Sequence, residues 1–322
     1  MNNHRTHAGL IGFALSAIAA TAHASCGTAF CTLMTDRYAQ GTGGAHEGWS
    51  VDLRVERVTQ NRLRTGTTNL DASQVTEEEA IERYTKNTNV VTTLGYGLGN
   101  DWSMSLRIPV SKRDHLHDVY DVSTQTIVGP ERWNYTKLGD VEALARRQLS
   151  TADAAQSVAV FGGLKLPTGS KNVTNDDGSR AERTLQPGTG TTDLILGVAT
   201  RRAVGLKDAA IAQASATMAL NKSEDFRPGA RIEVSAGWSH AYSDSLGTVL
   251  QLNWRHRRHD SGGQAEPGNS GFTTLALSPG VTFAAGKAST VYAFVQVPVY
   301  QNMRGIQLVP RYALALGWTS DF

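Results

Sequence analysis

Two histidine clusters carry the clearest ligand chemistry in the chain: Asp114-His115-Leu116-His117-Asp118 and His256-Arg-Arg-His259-Asp260. Residues i and i+2 of an extended segment share a face, so His115 and His117 would present both imidazoles to one side. Imidazole with carboxylate suits Zn or Cu. The same residues are ordinary on solvated loop edges, and both readings stand. Cys26 and Cys31 are the two cysteines; an even pair in an exported chain reads as a disulfide. No C-x-x-C-H haem motif accompanies them. Ser239-His240 pairs a nucleophile with a base, but neighbours on a strand point to opposite faces and cannot form a dyad. Neither Gly169-Ser170-Lys171 nor the Pro187–Gly190 stretch has nucleotide-binding spacing. The expectation is a protein that is not an enzyme and uses no cofactor.

The most frequent chemistry is fixed charge, set at alternate positions of apolar segments. Asp52, Arg54, Glu56, Arg107, Asp140, Glu142, Arg146, Lys165, Arg231, Glu233, Arg255 and Arg311 all fall opposite an apolar series. A two-residue period with one greasy and one charged face defines a strand. The last strand shows it best: Ile306, Leu308, Pro310, Tyr312, Leu314, Leu316, Trp318 and Phe322 share one parity, broken only at Ser320. A central Arg on a lipid-facing wall costs roughly 2–4 kcal/mol. The twelve charges are therefore expected inside a closed barrel, lining its lumen. Trp49, Trp102, Trp238, Trp254, Trp318 and Phe322 sit near the ends of the apolar series, as interfacial girdles require.

Strand signals recur at 49–55, 84–98, 102–110, 138–150, 158–166, 191–202, 208–220, 232–238, 250–255, 275–283, 291–299 and 306–322. Short turns alternate with long polar connections at 60–83, 112–136, 168–190, 221–229, 257–271 and 301–304. That alternation predicts an all-β, transmembrane, antiparallel up-and-down barrel of about 12 strands, with short turns in the periplasm and long loops outside. Thr76 and Glu79 fit a capping box, predicting a short helix over 76–84 on the first outer loop.

The first 24 residues combine His4, Arg5 and His7, an apolar stretch from Ala8 to Ala20, and Ala22-His23-Ala24. This is the pattern of a cleaved secretory signal. Residues 1–24 then form the signal peptide, 25–45 a periplasmic segment holding the cysteine pair, and 46–322 the barrel. A terminal strand ending in Phe322 resembles the insertion signal read by the barrel-assembly machinery. Lys and Arg total 31 against 29 Asp and Glu, with no basic block, which gives nucleic acid no footprint.

Three words carry a resemblance: Gly139-Asp140-Val141, Leu164-Lys-Leu-Pro-Thr-Gly169, and Pro187-Gly-Thr-Gly-Thr-Thr-Asp-Leu-Ile-Leu-Gly197. Val297-Pro-Val-Tyr-Gln301 and Gly305-Ile-Gln-Leu308 add to it. Over residues 138–322 the chain resembles the bacterial outer-membrane transporter family typified by the MetA-pathway phenol-degradation proteins. The resemblance implies an outer-membrane barrel that passes aromatic or other small compounds, and the expectation is a monomeric, porin-like barrel in outer-membrane lipid whose solutes are small, aromatic or hydrophobic. The alternatives are a scaffold barrel docking a periplasmic partner, or a copper-related outer-membrane protein.

Overall fold

The computed structural model describes residues 47–322 except 76, 77, 79, 150–152 and 154. The expected signal peptide and the pair Cys26 and Cys31 lie outside the described residues. The strands are β1 (Gly48–Gly66), β2 (Thr68–Leu70), β3 (Ala80–Gly99), β4 (Trp102–Asp121), β5 (Thr126–Leu138), β6 (Val141–Leu149) and β7 (Gln156–Leu166). They continue with β8 (Asp193–Val204), β9 (Asp208–Ala219), β10 (Arg231–Ala241), β11 (Leu246–Arg257), β12 (Phe272–Ala284) and β13 (Ser289–Asp321). All pair antiparallel, and β13 closes the sheet onto β1. The β13 ladder runs up β12 from Thr290 to Met303, doubles back near Gly305 (φ +66°), and runs down β1 to Asp321. Leaving out β2 and β5, which sit off the closed wall, and counting β13 twice gives 12 passes.

Alternation decides the two faces. On the outer face Leu53, Leu196, Val198, Leu252, Val297 and Leu316 are each 40–57% exposed, while the intervening Glu56, Gln251 and Asn253 are at most 1% exposed. A continuous apolar belt of this kind is stable against hydrocarbon rather than water. Aromatics rim it at the short-turn end, where Trp238 Nε1 donates to Asp208 Oδ1 at 2.8 Å and Trp49 packs on Tyr96. The first short turn has Asn100 and Asp101 both at positive φ (50° and 67°), the geometry that two-residue hairpin loops favour.

Three sequence expectations change at the long-loop end. The 60–83 and 112–136 segments are largely strand: β1 runs on to Gly66, β3 starts at Ala80, and β4 and β5 form a hairpin standing above the wall. Of the helix expected over 76–84, residues 80–84 are strand paired with β4, Thr76 and Glu79 lie outside the described residues, and a 3-10 turn stands at Ala72–Gln74. The outward series of the last strand also ends early. Register shifts at Val58/Gln60 and Gln60/Arg62 break the parity opposite Pro310, so Leu308 (2% exposed) turns inward and packs with Leu63, Trp133, Tyr135 and Leu185. Bulges of this kind re-aim side chains at barrel rims.

Candidate functional site

The lumen is divided between a packed side and an open side. Tyr292 and Phe294 of β13 join Val58, Ile211, Val249, Ala313 and Ala315 in an inward apolar cluster. A Cβ on Gly317 would lie 2.2 Å from the Tyr292 ring, so only glycine lets that ring lie flat on the wall. The Tyr292 hydroxyl donates to Asp52 at 2.8 Å. Beside this cluster lies a cavity of about 530 Å³, reaching from Gly48 and Ser103 at the short-turn end to Arg183 and Gln186 at the other.

Ten of the twelve sequence-selected charges line that cavity: Asp52, Arg54, Arg107, Asp140, Glu142, Arg146, Lys165, Arg231, Glu233 and Arg255. They are paired along the wall. Arg107 meets Glu142 at 3.0 Å, and Arg231 and Arg255 flank Glu233 at 3.1 and 2.9 Å. Glu56 is fully buried against Arg54 at 2.9 Å, one layer above the open space. Arg311 is exposed near the long-loop end. Cross-strand ion pairs compensate the desolvation that an inward charge suffers in a narrow tube.

The three sequence words meet at one node. Asp140 sits between β5 and β6, only 8% exposed, and its carboxylate gathers both feet of the 168–190 connection. Oδ1 accepts from Gly169 N at 3.0 Å; Oδ2 accepts from Thr189 N at 2.9 Å, Thr189 Oγ1 at 3.0 Å and Lys165 Nζ at 2.7 Å. Lys165 also reaches Asp193 at 3.2 Å. A Cβ on Gly188 would lie 2.5 Å from the Gly169 carbonyl oxygen, so the two feet cross in contact because both are glycine. The sequence marked the glycines and Asp140; Thr189 and Asp193, within the third word, carried no separate signal.

From this root the loop turns into the barrel mouth and packs. Leu185 is fully buried, and its carbonyl accepts from Arg113 Nη1 at 2.5 Å and from the Tyr135 hydroxyl. Trp133 Nε1 donates to the Ser179 carbonyl at 3.0 Å. Val173, Ala181 and Leu185 enter the apolar cluster of Leu63, Val75, Ile81, Trp133, Tyr135 and Leu308. Burying three such side chains contributes several kcal/mol at about 25 cal/mol per Å². On the outer side Glu224, in the 220–230 connection, bridges Lys171 (2.9 Å), Arg180 (2.6 Å) and Arg183 (3.4 Å). The hydrogen bonds from Arg180 and Lys171 hold its carboxyl down to about 2. The 168–190 segment is thus a folded plug, tied at root, tip and rim.

The rim above the plug is rich in acid. Burial first, and then the charges of Glu131 and Glu78, raise the Glu182 carboxyl; burial, then Glu182 and Glu82, raise Glu266. His115 and His117 lie on the inner face of β4 here, beyond the wall proper, with Glu82 opposite on β3. Asp114 and Asp118 point the other way, to Arg132 and Arg83. Burial, then His117 and Arg113, push the His115 imidazole well below its usual range. The second histidine cluster is not assembled: His256 faces outward, stacked on Trp254 and bonded to Thr273, while His259 lies against Arg304. His240 bonds Asp208 and Ser239 lies on the opposite face.

No family model matches this chain, and no curated protein matches it. Among solved structures it is similar to an outer-membrane channel of Pseudomonas putida F1, with a TM-score of 0.62 at 12% identity over 90% of this chain and 100% of that one. More distant similarity reaches a Pseudomonas aeruginosa FadL homologue (TM-score 0.46, 8% identity, 92% of this chain and 100% of that one). It also reaches the Ralstonia pickettii toluene transporter TbuX (0.44, 7%, 90% and 93%). The closed antiparallel barrel with its apolar outer belt defines a bacterial outer-membrane β-barrel protein.

Proposed function

We propose that this protein is an outer-membrane channel for small solutes, passive and without a resident redox or group-transfer cofactor, working as a monomer. The observation that carries the reading is the lumen: a cavity walled by paired charges, running from the short-turn end to the folded 168–190 loop, with Phe226 and Pro228 of the next connection beside it. A barrel sealed throughout would fill that space with crossing side chains, as the Tyr292–Phe294 side is filled, whereas here a cavity stays open beside that cluster. The lining mixes Leu144, Phe161 and Ile195 with the ion pairs. Such a surface suits compact molecules with an apolar or aromatic body and a polar end. The likeness to the Pseudomonas putida channel supports the fold that this requires. Export through the 1–24 leader, a Ser25 start and a Cys26–Cys31 disulfide belong to the same proposal, as delivery and as closure of the segment before the barrel.

The packed plug favours a second reading, in which the barrel is sealed and acts as a scaffold. Planar-bilayer recording of refolded protein separates the two. Steps of conductance that grow when residues 172–182 are removed support the channel. Silence from both the parent and the shortened protein overturns it.

A further inference from the structure

We propose that Glu82, His115 and His117 form a binding site for one divalent transition metal of the zinc type, on the inner wall of the rim. The inference is independent of whether the lumen conducts. Its basis is a convergence that neither strand makes alone. A register shift at Arg83 lets Glu82 lie opposite His117 and Thr85 opposite His115, all on the inward face. Without that bulge, Glu82 and Thr85, three apart, would face opposite ways.

The three donor atoms lie within 4.8 Å of one another. His115 Nε2 is 3.5 Å from Glu82 Oε2 and 3.5 Å from His117 Nδ1. A tetrahedral ion with bonds of about 2.0–2.1 Å has ligand–ligand edges of about 3.4 Å, so these two separations match the edges of a coordination shell that meet at His115 Nε2. The side chains are buried, His115 and Glu82 completely and His117 to 3% exposure.

The outer nitrogens are also occupied in the way ligating imidazoles require. His115 Nδ1 meets Thr85 Oγ1 at 2.8 Å, and His117 Nε2 meets Glu131 Oε2 at 3.3 Å. If those outer nitrogens carry the ring protons, the lone pairs of His115 Nε2 and His117 Nδ1 both face Glu82. A carboxylate or hydroxyl behind each ligating ring fixes tautomer and orientation. Trp133 packs against both imidazoles, with centroids 5.8 and 5.1 Å away, and restricts water on that side. The nearby guanidinium of Arg113 is engaged by Asn87 and the Leu185 carbonyl. The carboxylate of Glu131, 3.3 Å behind His117, favours a cation at this place.

Two imidazoles and one carboxylate select Zn²⁺, Cu²⁺ or Fe²⁺ over the oxygen-seeking Ca²⁺ and Mg²⁺. Three protein ligands leave a fourth position for water or for a donor group on a solute.

The test uses the full mature chain, folded in detergent, stripped with chelator and dialysed against Zn²⁺, with metal counted by mass spectrometry. One zinc per chain is expected, and Co²⁺ in its place should give the intense visible bands of a tetrahedral site. Glu82→Gln and His117→Gln should each weaken binding by at least 100-fold while heat-modifiable gel migration stays that of a folded barrel. The paired variants His256→Gln/His259→Gln and Cys26→Ser/Cys31→Ser should leave it unchanged. Should the first two variants fail to fold, Thr85→Val decides, with a loss of roughly 10–100-fold expected from the missing outer partner. No zinc on the parent chain, unchanged affinity in the rim variants, or loss of metal in either control pair would overturn the site.

Discussion

Asp140 holds Thr189 twice, through the backbone N–H at 2.9 Å and the hydroxyl at 3.0 Å, across 49 residues of chain. The same carboxylate takes Gly169 N and Lys165 Nζ, so one acid fixes both feet of the plug. Breaking a buried ion pair by removing one partner typically costs about 3–5 kcal/mol. Asp140→Ala should therefore release the 168–190 segment without unzipping the wall. The expected readout is faster limited proteolysis within that segment and higher bilayer conductance. A protease-resistant plug in the variant would show that Asp140 does not hold it.

The outer tie of the plug is pH-dependent. Glu224 lies below its ordinary value of 4.5, at about 2, because Arg180 and Lys171 bond its charged form. A depressed carboxylate contributes stability above its unfolded value and loses it as pH falls through the folded one. The tie is thus intact above about 4.5 and is lost progressively between there and about 2. Proteolysis of the plug by an acid-active protease, or conductance, should rise through that window, and Glu224→Gln should look acid-treated at neutral pH. The contact is partly exposed, so added salt should weaken it as well.

Charge inside the lumen should set ion preference. Glu233 is flanked by Arg231 and Arg255. Arg255→Gln removes one of the two cations and shifts the local field toward negative, which a narrow low-dielectric wall amplifies. Reversal potentials under a salt gradient, measured on a plug-shortened background, should move toward cation selectivity. An unchanged reversal potential would place the conducting path elsewhere.

The two faces can be compared at one depth. Val198, mid-strand in β8, is 42% exposed on the outer belt, whereas Gln213 on β9 lines the cavity. Val198→Arg should cost about 2–4 kcal/mol of barrel stability near the midplane. Gln213→Arg enters a hydrated lumen and should cost far less. Urea titrations in lipid vesicles measure both, and equal losses would contradict the assignment of faces.

Periodicity was enough to find the wall. Each of the twelve strand signals falls on a pass of the barrel, because a membrane-spanning strand must alternate and must end in a turn. The inward charges were readable for the same reason: Arg107, Lys165 and Glu233 have no stable place on the lipid side. What the pattern could not give is whatever depends on partners distant in sequence. Asp140, Lys165, Gly169 and Thr189 were visible as words, yet their meeting at one node depends on β6, β7 and β8 standing side by side. His115 and His117 were legible as a pair, but Glu82 comes from another strand and reaches them only through the bulge at Arg83. Leu308 continued an outward series in the sequence and turned inward in the fold, since parity is a local rule and a bulge resets it. Local alternation thus determined the faces of this barrel, while long-range register decided which side chains share a site.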